Sequence, residues 1–115
     1  MENRSYPRIA LNNLKVEACD VFGFYVGMIS DVSRFGLCLT EFPLKLDGRV
    51  EKMTVIVSGE GRKFKMNIRP RWSISDNNNK TVGAQILDAP WSWTEFVMDL
   101  EPPVKDDVWR SAAGL

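Results

Sequence analysis

Two short segments carry the side chains best suited to hold a ligand, and the first contains an arginine pair. Arg4 and Arg8 lie before the first predicted strand, in a stretch that Pro7 prevents from forming an ordinary helix. A guanidinium can bind a phosphate, or the O6 and N7 atoms of a guanine, through two parallel hydrogen bonds, and its flat face can stack on a base. The pair therefore indicates recognition of an anionic ligand or a nucleobase.

The second segment runs from Asp31 to Gly36 and is interpreted as a turn between two strands. Asp31 and Ser33 offer oxygen atoms on one side, and Gly36 allows the backbone to approach a ligand closely. A carboxylate beside a hydroxyl can accept hydrogen bonds from the N–H donors of a guanine edge. An arm with two arginines that closes over this turn would hold a guanine dinucleotide.

The residue types disfavour catalysis. The sequence has no His, so the usual general base near neutral pH is missing, and no nucleophile, phosphate-loop or metal-spaced acidic motif is present. Cys19 and Cys38 are far apart and have no His to complete a metal site, so both are predicted to be reduced thiols in or near the core. We expect no enzyme, no metal and no cofactor.

Length and charge restrict the class of protein. The 115 residues suit one domain, and fifteen basic and fifteen acidic side chains give a formal net charge of zero. That balance disfavours nucleic acid as a partner. A small oligonucleotide-binding barrel remains an alternative, and it would need a basic groove on its surface. No apolar run is long enough to cross a bilayer and no signal peptide pattern is seen, so we expect a cytoplasmic protein without membrane insertion.

The middle of the chain has the pattern of a mainly β protein. Short β-branched and aromatic runs alternate with Gly, Asp, Asn and Pro, which predicts a six-stranded antiparallel barrel with a C-terminal α-helix. Asp47-Gly48, Gly59-Glu60-Gly61 and Asp76 to Asn79 are predicted hairpin turns. The predicted strands are Leu14 to Ala18, Phe22 to Ile29, Gly36 to Phe42, Val50 to Ser58, Lys63 to Ser75 and Thr81 to Leu87.

The apolar period changes after Pro90 to that of a helix. Trp93, Phe96, Val97 and Leu100 fall on one helical face, which we expect to cover an open end of the barrel. Ser92 and Glu95 have the spacing of a capping box, and Pro102-Pro103 ends the helix. The predicted organisation is an arm over residues 1–13, a barrel with its helix over 14–101, and a tail or short helix over 102–115, where Trp109 is a candidate interface residue.

The two motifs together resemble those of the PilZ family of cyclic di-GMP receptors, RxxxR followed by [D/N]xSxxG. Arg71-Trp72 and Val82 to Ile86 are also similar to the family's later strands. The resemblance implies a PilZ-type barrel in which Arg4 and Arg8 contact phosphate and guanine, Asp31 and Ser33 bind polar groups of the ligand, and Gly36 permits close approach. Trp72 is a further ligand contact or, by the stronger expectation for an aromatic residue on a strand, a core residue.

The resemblance implies a receptor that performs no chemistry on cyclic di-GMP. We expect the arm to have no tie to the barrel before ligand binds and to become ordered across Asp31 to Gly36 afterwards, which would signal to an unidentified effector protein in motility, exopolysaccharide or biofilm control. The alternative is a divergent PilZ fold that binds no nucleotide and acts as a protein-interaction module. The sequence leaves the oligomeric state, the ligand stoichiometry and the affinity open.

Overall fold

The computed structural model describes residues 6–102, which form a closed β-barrel with one outer strand and a C-terminal helix. Six strands form the ring in the order β3-β2-β5-β6-β7-β4, and β4 pairs back onto β3. All of these pairings are antiparallel. The short β1 pairs with Asp31 and Val32 of β3, beyond the part of β3 that pairs with β2. The predicted six-stranded barrel with a helix is confirmed. The elements are β1 Ile9–Ala10, β2 Lys15–Asp20, β3 Gly23–Ser33, β4 Gly36–Phe42, β5 Met53–Gly59, β6 Arg62–Ser75, β7 Lys80–Ile86 and α1 Trp91–Leu100.

The barrel interior is built from the alternation of apolar and polar residues along each strand. In β5, Met53, Val55 and Val57 are buried, whereas the residues between them are partly exposed. Successive side chains of a strand point to opposite faces, so one apolar face fills the barrel and the other faces outward. This period of two explains why the sequence predicts most of the strands correctly.

One β-bulge decides which way the second motif points. Ile29 pairs with Leu39 and Asp31 pairs with Cys38, so Ser30 is an extra residue on β3. Without that insertion Asp31 would share the inward phase of Ile29, and Val32 would face outward. With it, Val32 is fully buried. The predicted turn over Asp31 to Gly36 is therefore too long, because Asp31 and Ser33 lie on β3 and only Arg34 and Phe35 connect it to β4.

The predicted hairpin turns have different outcomes. Glu60 and Gly61 join β5 to β6, and both have positive φ, at 52° and 74°, as a tight hairpin between right-twisted strands requires. Asp76 accepts hydrogen bonds from the backbone N–H groups of Asn78 and Asn79 at the β6–β7 connection. The prediction for Asp47-Gly48 is wrong, since these residues lie between β4 and β5, which do not pair.

Helix α1 covers the end of the barrel at which the β3–β4 and β5–β6 turns lie. The indole of Trp93 is fully buried against Phe64, with ring centroids 5.2 Å apart, and its Nε1–H donates to the Arg34 carbonyl at 3.2 Å. Phe96 packs on the same two rings. The predicted core-facing side of the helix is confirmed, and burial of this aromatic cluster fixes the helix to the barrel.

The predicted capping box is wrong. The N-cap residue is Pro90, and no side chain caps the helix. Because the helix begins at Trp91, Ser92 lies inside the first turn and not before it. A proline has no N–H of its own to satisfy, and its fixed φ suits the start of a helix.

The two cysteines lie in different environments. Cys38 is buried and Cys19 is exposed, so the prediction that both lie in or near the core is correct for Cys38 alone. Cys19 is on the outward phase of β2, between the buried Ala18 and the partly buried Asp20. Over residues 6–102, no helix is long and apolar enough to span a bilayer.

Candidate ligand-binding site

A cavity of about 390 Å³ lies on the outer surface of β4, β7 and β6, next to the β3–β4 turn. The strand register brings the relevant residues into two rows. Ser33 pairs with Gly36, which pairs with Gln85 on β7. The next outward row contains Cys38, Gly83 and Trp72. Gly36 and Gly83 both line the cavity, and the absence of a side chain at each position leaves room for neighbouring groups: Ser33 and Arg8 beside Gly36, and the indole of Trp72 over Gly83.

Arg8 and Ser33 line this cavity, and Asp31 holds Arg8 in place. The Nη2 group of Arg8 donates a hydrogen bond to Oδ1 of Asp31. The side chain of Arg8 is 53% exposed and that of Asp31 is 30% exposed, so both remain accessible to water. Asp31 itself is not part of the cavity wall. The first and second motifs therefore meet, and the carboxylate orients the guanidinium.

Gly36 makes room for the side chains around it. A Cβ atom at this position would lie 3.1 Å from Oγ of Ser33 and 3.7 Å from Nη1 of Arg8. Ser33 is almost fully buried, at 9% exposure, so it has little freedom to move away. A glycine here keeps the Nη1 edge of Arg8 and the Ser33 hydroxyl close together beside the cavity.

Trp72 lies at the cavity and not in the core. Its residue is 47% exposed, which makes the stronger expectation of a core Trp wrong. A Cβ atom on Gly83 would lie only 2.1 Å from Cε2 of the indole, so the ring lies directly on the backbone of β7. The cause is a second bulge: Pro70 pairs with Ala84 and Trp72 with Gly83, which leaves Arg71 as the extra residue and moves Trp72 to the outward phase.

Several cavity residues escaped the sequence analysis. Arg71 and Gln85 line the cavity, and Nη1 of Arg71 donates to Oε1 of Gln85 at 3.1 Å. Arg71 adds a second guanidinium to the wall, which favours an anionic ligand. The position of Arg71 gave no signal because the outward phase of β6 depends on the bulge, and Gln85 gave none because an outward polar residue on β7 has no distinguishing pattern.

The arm is tied to the barrel. β1 pairs with Val32 and Asp31 of β3, so the prediction that the arm lacks any tie is wrong for the described residues from Tyr6 onward. The Tyr6 ring lies edge-on to the ring of Phe35, with centroids 5.4 Å apart, and both line the cavity. Both residues occupy unspecified positions of the two motifs, so the motif patterns do not predict them as part of the site.

Arg34 lies behind this aromatic pair and binds the end of α1. Its Nε and Nη2 groups donate to the two carboxylate oxygens of Glu101 at 2.7 and 2.8 Å. These hydrogen bonds hold the pKa of the Glu101 carboxyl below its ordinary value, and they raise the pKa of the Arg34 guanidinium. The Arg34 charge is therefore neutralised by the helix end.

The structure brings together Arg8, Ser33, Gly36 and Trp72 at one cavity and places Asp31 beside them. Arg4, Trp109 and the predicted tail or second helix lie outside the described residues. Within residues 6–102, no cluster of three or more Cys, Asp or Glu side chains is arranged to hold a metal ion.

Comparison with known proteins identifies the fold. The chain matches no protein-family model and no curated protein sequence. Three solved structures illustrate its structural similarity. The Bacillus subtilis inhibitor of motility MotI/DgrA aligns with a TM-score of 0.70 and 12% identity, over 87% of this chain and 49% of that one. The K. pneumonia MrkH complex with c-di-GMP aligns with a TM-score of 0.69 and 12% identity, over 100% of this chain and 56% of that one.

The third structure is the PilZ domain of YcgR from Escherichia coli with c-di-GMP. It aligns with a TM-score of 0.62 and 13% identity, over 99% of this chain and 100% of that one. The chain spans about half the length of the first two proteins but the whole of this domain. The protein therefore has a PilZ-type fold.

Proposed function

We propose that this protein is a cyclic di-GMP receptor that binds the ligand at the cavity between the arm and the β4–β7–β6 surface. The observation that carries the proposal is that Arg8 from the first motif meets Ser33 and Gly36 from the second at one cavity. The two motifs are more than twenty positions apart in the sequence, and the β-bulge at Ser30 and the pairing of β1 with β3 bring them together. Such convergence of polar groups on a concave site is typical of ligand binding.

The chemistry of the wall fits a guanine dinucleotide. Arg8 and Arg71 supply two guanidinium groups for phosphate or for the O6 and N7 atoms of guanine. The half-exposed indole of Trp72 offers a face on which a base stacks. In this proposal Asp31, which lies beside the cavity wall and is 30% exposed, orients Arg8 and accepts hydrogen bonds from guanine N–H donors at the cavity edge, and Arg4 supplies a further contact to phosphate and guanine.

The similar structures support the choice of ligand. Two of them, MrkH and the PilZ domain of YcgR, contain c-di-GMP. MotI/DgrA is named an inhibitor of motility. We infer that this protein likewise binds the dinucleotide without chemical change and passes the signal to an effector protein, in motility, exopolysaccharide or biofilm control.

Calorimetric titration with cyclic di-GMP tests the proposal. The wild-type protein should bind with micromolar or tighter affinity. Arg8→Ala should weaken binding about 30-fold or more, because bound ligand would cover the exposed guanidinium, and truncating one partner of a charged contact that is buried in a complex costs about 2–5 kcal/mol. Cyclic di-AMP serves as the competitor that tests guanine specificity, since adenine lacks the donor pattern that Asp31 would accept.

Arg49→Ala is the matched control. Arg49 forms an equivalent surface ion pair with Asp47, 3.3 Å long, away from the cavity. It should leave the affinity unchanged. Equal affinity of the Arg8→Ala and Arg49→Ala variants for the dinucleotide would contradict the proposed site, and absence of heat at several temperatures with wild type would contradict the proposed ligand.

One observation favours the alternative, a protein-interaction module that binds no nucleotide. Phe22, Phe24 and Val26 are 73%, 61% and 48% exposed, and the latter two lie on the outward phase of β3. An exposed apolar row of this kind is a feature of protein-interaction surfaces. A wild-type protein that gives no heat with cyclic di-GMP, while Phe24→Ser abolishes a cellular effect of the protein, would favour this function.

A further inference from the structure

Arg34 lies at the junction of three elements and is not used by the proposed ligand contacts. It follows Ser33 directly, in the turn between β3 and β4. Two of its guanidinium nitrogens are bound by Glu101, so its charge is not available to a ligand. Its side chain is 26% exposed and that of Glu101 is 11% exposed, which makes this pair the more buried counterpart of the surface pair Arg49–Asp47.

On one side, Arg34 supports the wall of the cavity. The guanidinium carbon lies 4.7 Å from the centroid of the Tyr6 ring, within cation–π distance. The Tyr6 ring also packs edge-on against Phe35, and both rings line the cavity. Tyr6 belongs to the arm, and Arg34 and Phe35 of the second motif hold it at the cavity.

On the other side, Arg34 holds the end of α1. Glu101 is the C-cap residue of the helix, and its own N–H donates to the carbonyls of Val97 and Met98. The Arg34 carbonyl accepts a hydrogen bond from the indole N–H of Trp93, which lies in the first turn of α1, at the opposite end from Glu101. Backbone and side chain of one residue thus contact both ends of α1.

We propose that Arg34 is a positioning residue that couples the ligand cavity to the C-terminal end of α1 through Tyr6 and Glu101. This inference rests on the proposed function for the identity of the ligand, a guanine cyclic dinucleotide. A ligand that fills the cavity contacts Tyr6. Any change in the position of that ring changes its interaction with the Arg34 guanidinium. The same guanidinium donates hydrogen bonds to Glu101.

Coupling of this kind is reciprocal. If occupancy of the cavity alters the strength of the Arg34–Glu101 pair, then loss of the pair alters ligand affinity by the same factor. Glu101 is not part of the cavity wall, so its substitution removes no ligand contact.

The test is a cycle of variants titrated with cyclic di-GMP in the full chain. Glu101→Gln keeps the shape of the side chain and removes its charge, so it should raise the dissociation constant about fivefold. In a Tyr6→Leu background, the same substitution should have no further effect, because the ring that transmits it is gone. Tyr6→Phe keeps an aromatic face for the guanidinium and should restore the effect of Glu101→Gln.

Asp47→Asn is the control, since it removes one carboxylate from the surface pair with Arg49 and should leave the dissociation constant at the wild-type value. The proposal is overturned if Glu101→Gln binds like Asp47→Asn, or if its effect persists unchanged in the Tyr6→Leu background.

A wild-type protein that binds no cyclic di-GMP would refute the proposed function. In that case, urea unfolding of the same variants without ligand tests whether Tyr6 and Glu101 are coupled through Arg34. The proposal predicts that the unfolding equilibrium constant of the Tyr6→Leu, Glu101→Gln double variant departs about threefold or more from the product of the single effects. Multiplicative effects would overturn it.

Discussion

The position of the Trp72 indole depends on its cross-strand partner, Gly83. Gly83 lies across the β6–β7 pair, and a methyl group there would come within 2.1 to 2.5 Å of three indole atoms. No real Cβ atom approaches so closely, so an alanine must displace the ring. Because Trp72 is 47% exposed, the ring is free to swing into solvent. The effect of such a change should appear in ligand binding more than in stability.

Gly83→Ala is therefore expected to weaken binding of cyclic di-GMP about tenfold, through loss of the stacking face, which is worth about 1–3 kcal/mol per base. The unfolding free energy should change less, by about 1 kcal/mol, since the half-exposed indole loses its packing on Gly83 but no residue of the barrel core is displaced. Titration and urea denaturation measure the two effects. Trp72→Ala should weaken binding similarly, and Gly83→Ala should add nothing in that background. An additive effect of the two substitutions would show that Gly83 acts by another route.

At this scale the sequence predicted that residues of the two motifs lie together, but it did not predict the direction in which the strand residues point. Arg8, Ser33 and Gly36 meet at one cavity, because β1 pairs with β3 and the bulge at Ser30 sets the phase of the second motif. The side on which Trp72 lies was not predictable, since a single extra residue, Arg71, reverses the phase of the strand. The same holds for Asp31, whose direction depends on the extra residue Ser30.

The helix offers a pair of tryptophans that separates packing from surface exposure. Trp93 is fully buried between Phe64 and Phe96, whereas Trp91, two positions earlier, is 67% exposed. Trp93→Ala should lower the unfolding free energy by about 3–5 kcal/mol, because it opens a cavity at the barrel end. Trp91→Ala should change it by no more than about 0.5 kcal/mol. Urea denaturation followed by circular dichroism measures both.

Similar losses in the two variants would mean that α1 does not close the barrel through its Trp93 face. Trp93→Phe refines the test. It keeps most of the apolar volume and loses the hydrogen bond to the Arg34 carbonyl, so it should fall between the other two variants, with a loss of about 1–2 kcal/mol.

At the scale of elements, period and punctuation predicted six strands and one helix, and tertiary context decided the rest. The amphipathic spacing of Trp93, Phe96 and Val97 was sufficient to place α1. The two-residue strand β1 was not predictable, because Ile9–Ala10 is too short to show alternation and exists through its pairing with β3. The capping box was predicted wrongly because tertiary context also decides where the helix begins: Pro90 and the packing of Trp93 set its start.

At the scale of the whole fold, four carboxyl groups among residues 6–102 have a lowered pKa, which links folding to pH. Hydrogen bonds from backbone N–H groups lower the pKa of Asp47, Asp76 and Asp88 below the ordinary value of 3.8. Hydrogen bonds from Arg34 lower the pKa of Glu101 below 4.5. In acid, the unfolded chain therefore binds more protons than the folded protein. The stability from these groups is fully present at pH values above the ordinary pKa values of 3.8 and 4.5, and it is lost as pH falls through the lowered pKa values of the folded protein.

Glu101 should contribute most clearly to this acid sensitivity, because its side chain is the least exposed of the ion-paired carboxylates among residues 6–102. The wild-type urea midpoint should fall between pH 6 and pH 3. In Glu101→Gln the fall should be smaller, since glutamine does not titrate, and Arg34→Gln should reduce it similarly by removing the donors that lower the pKa. The double variant should show no further reduction, because both substitutions remove one linkage. A wild-type-sized fall in both single variants would mean that the Arg34–Glu101 pair does not contribute to stability, and that other carboxylates carry the pH dependence of the fold.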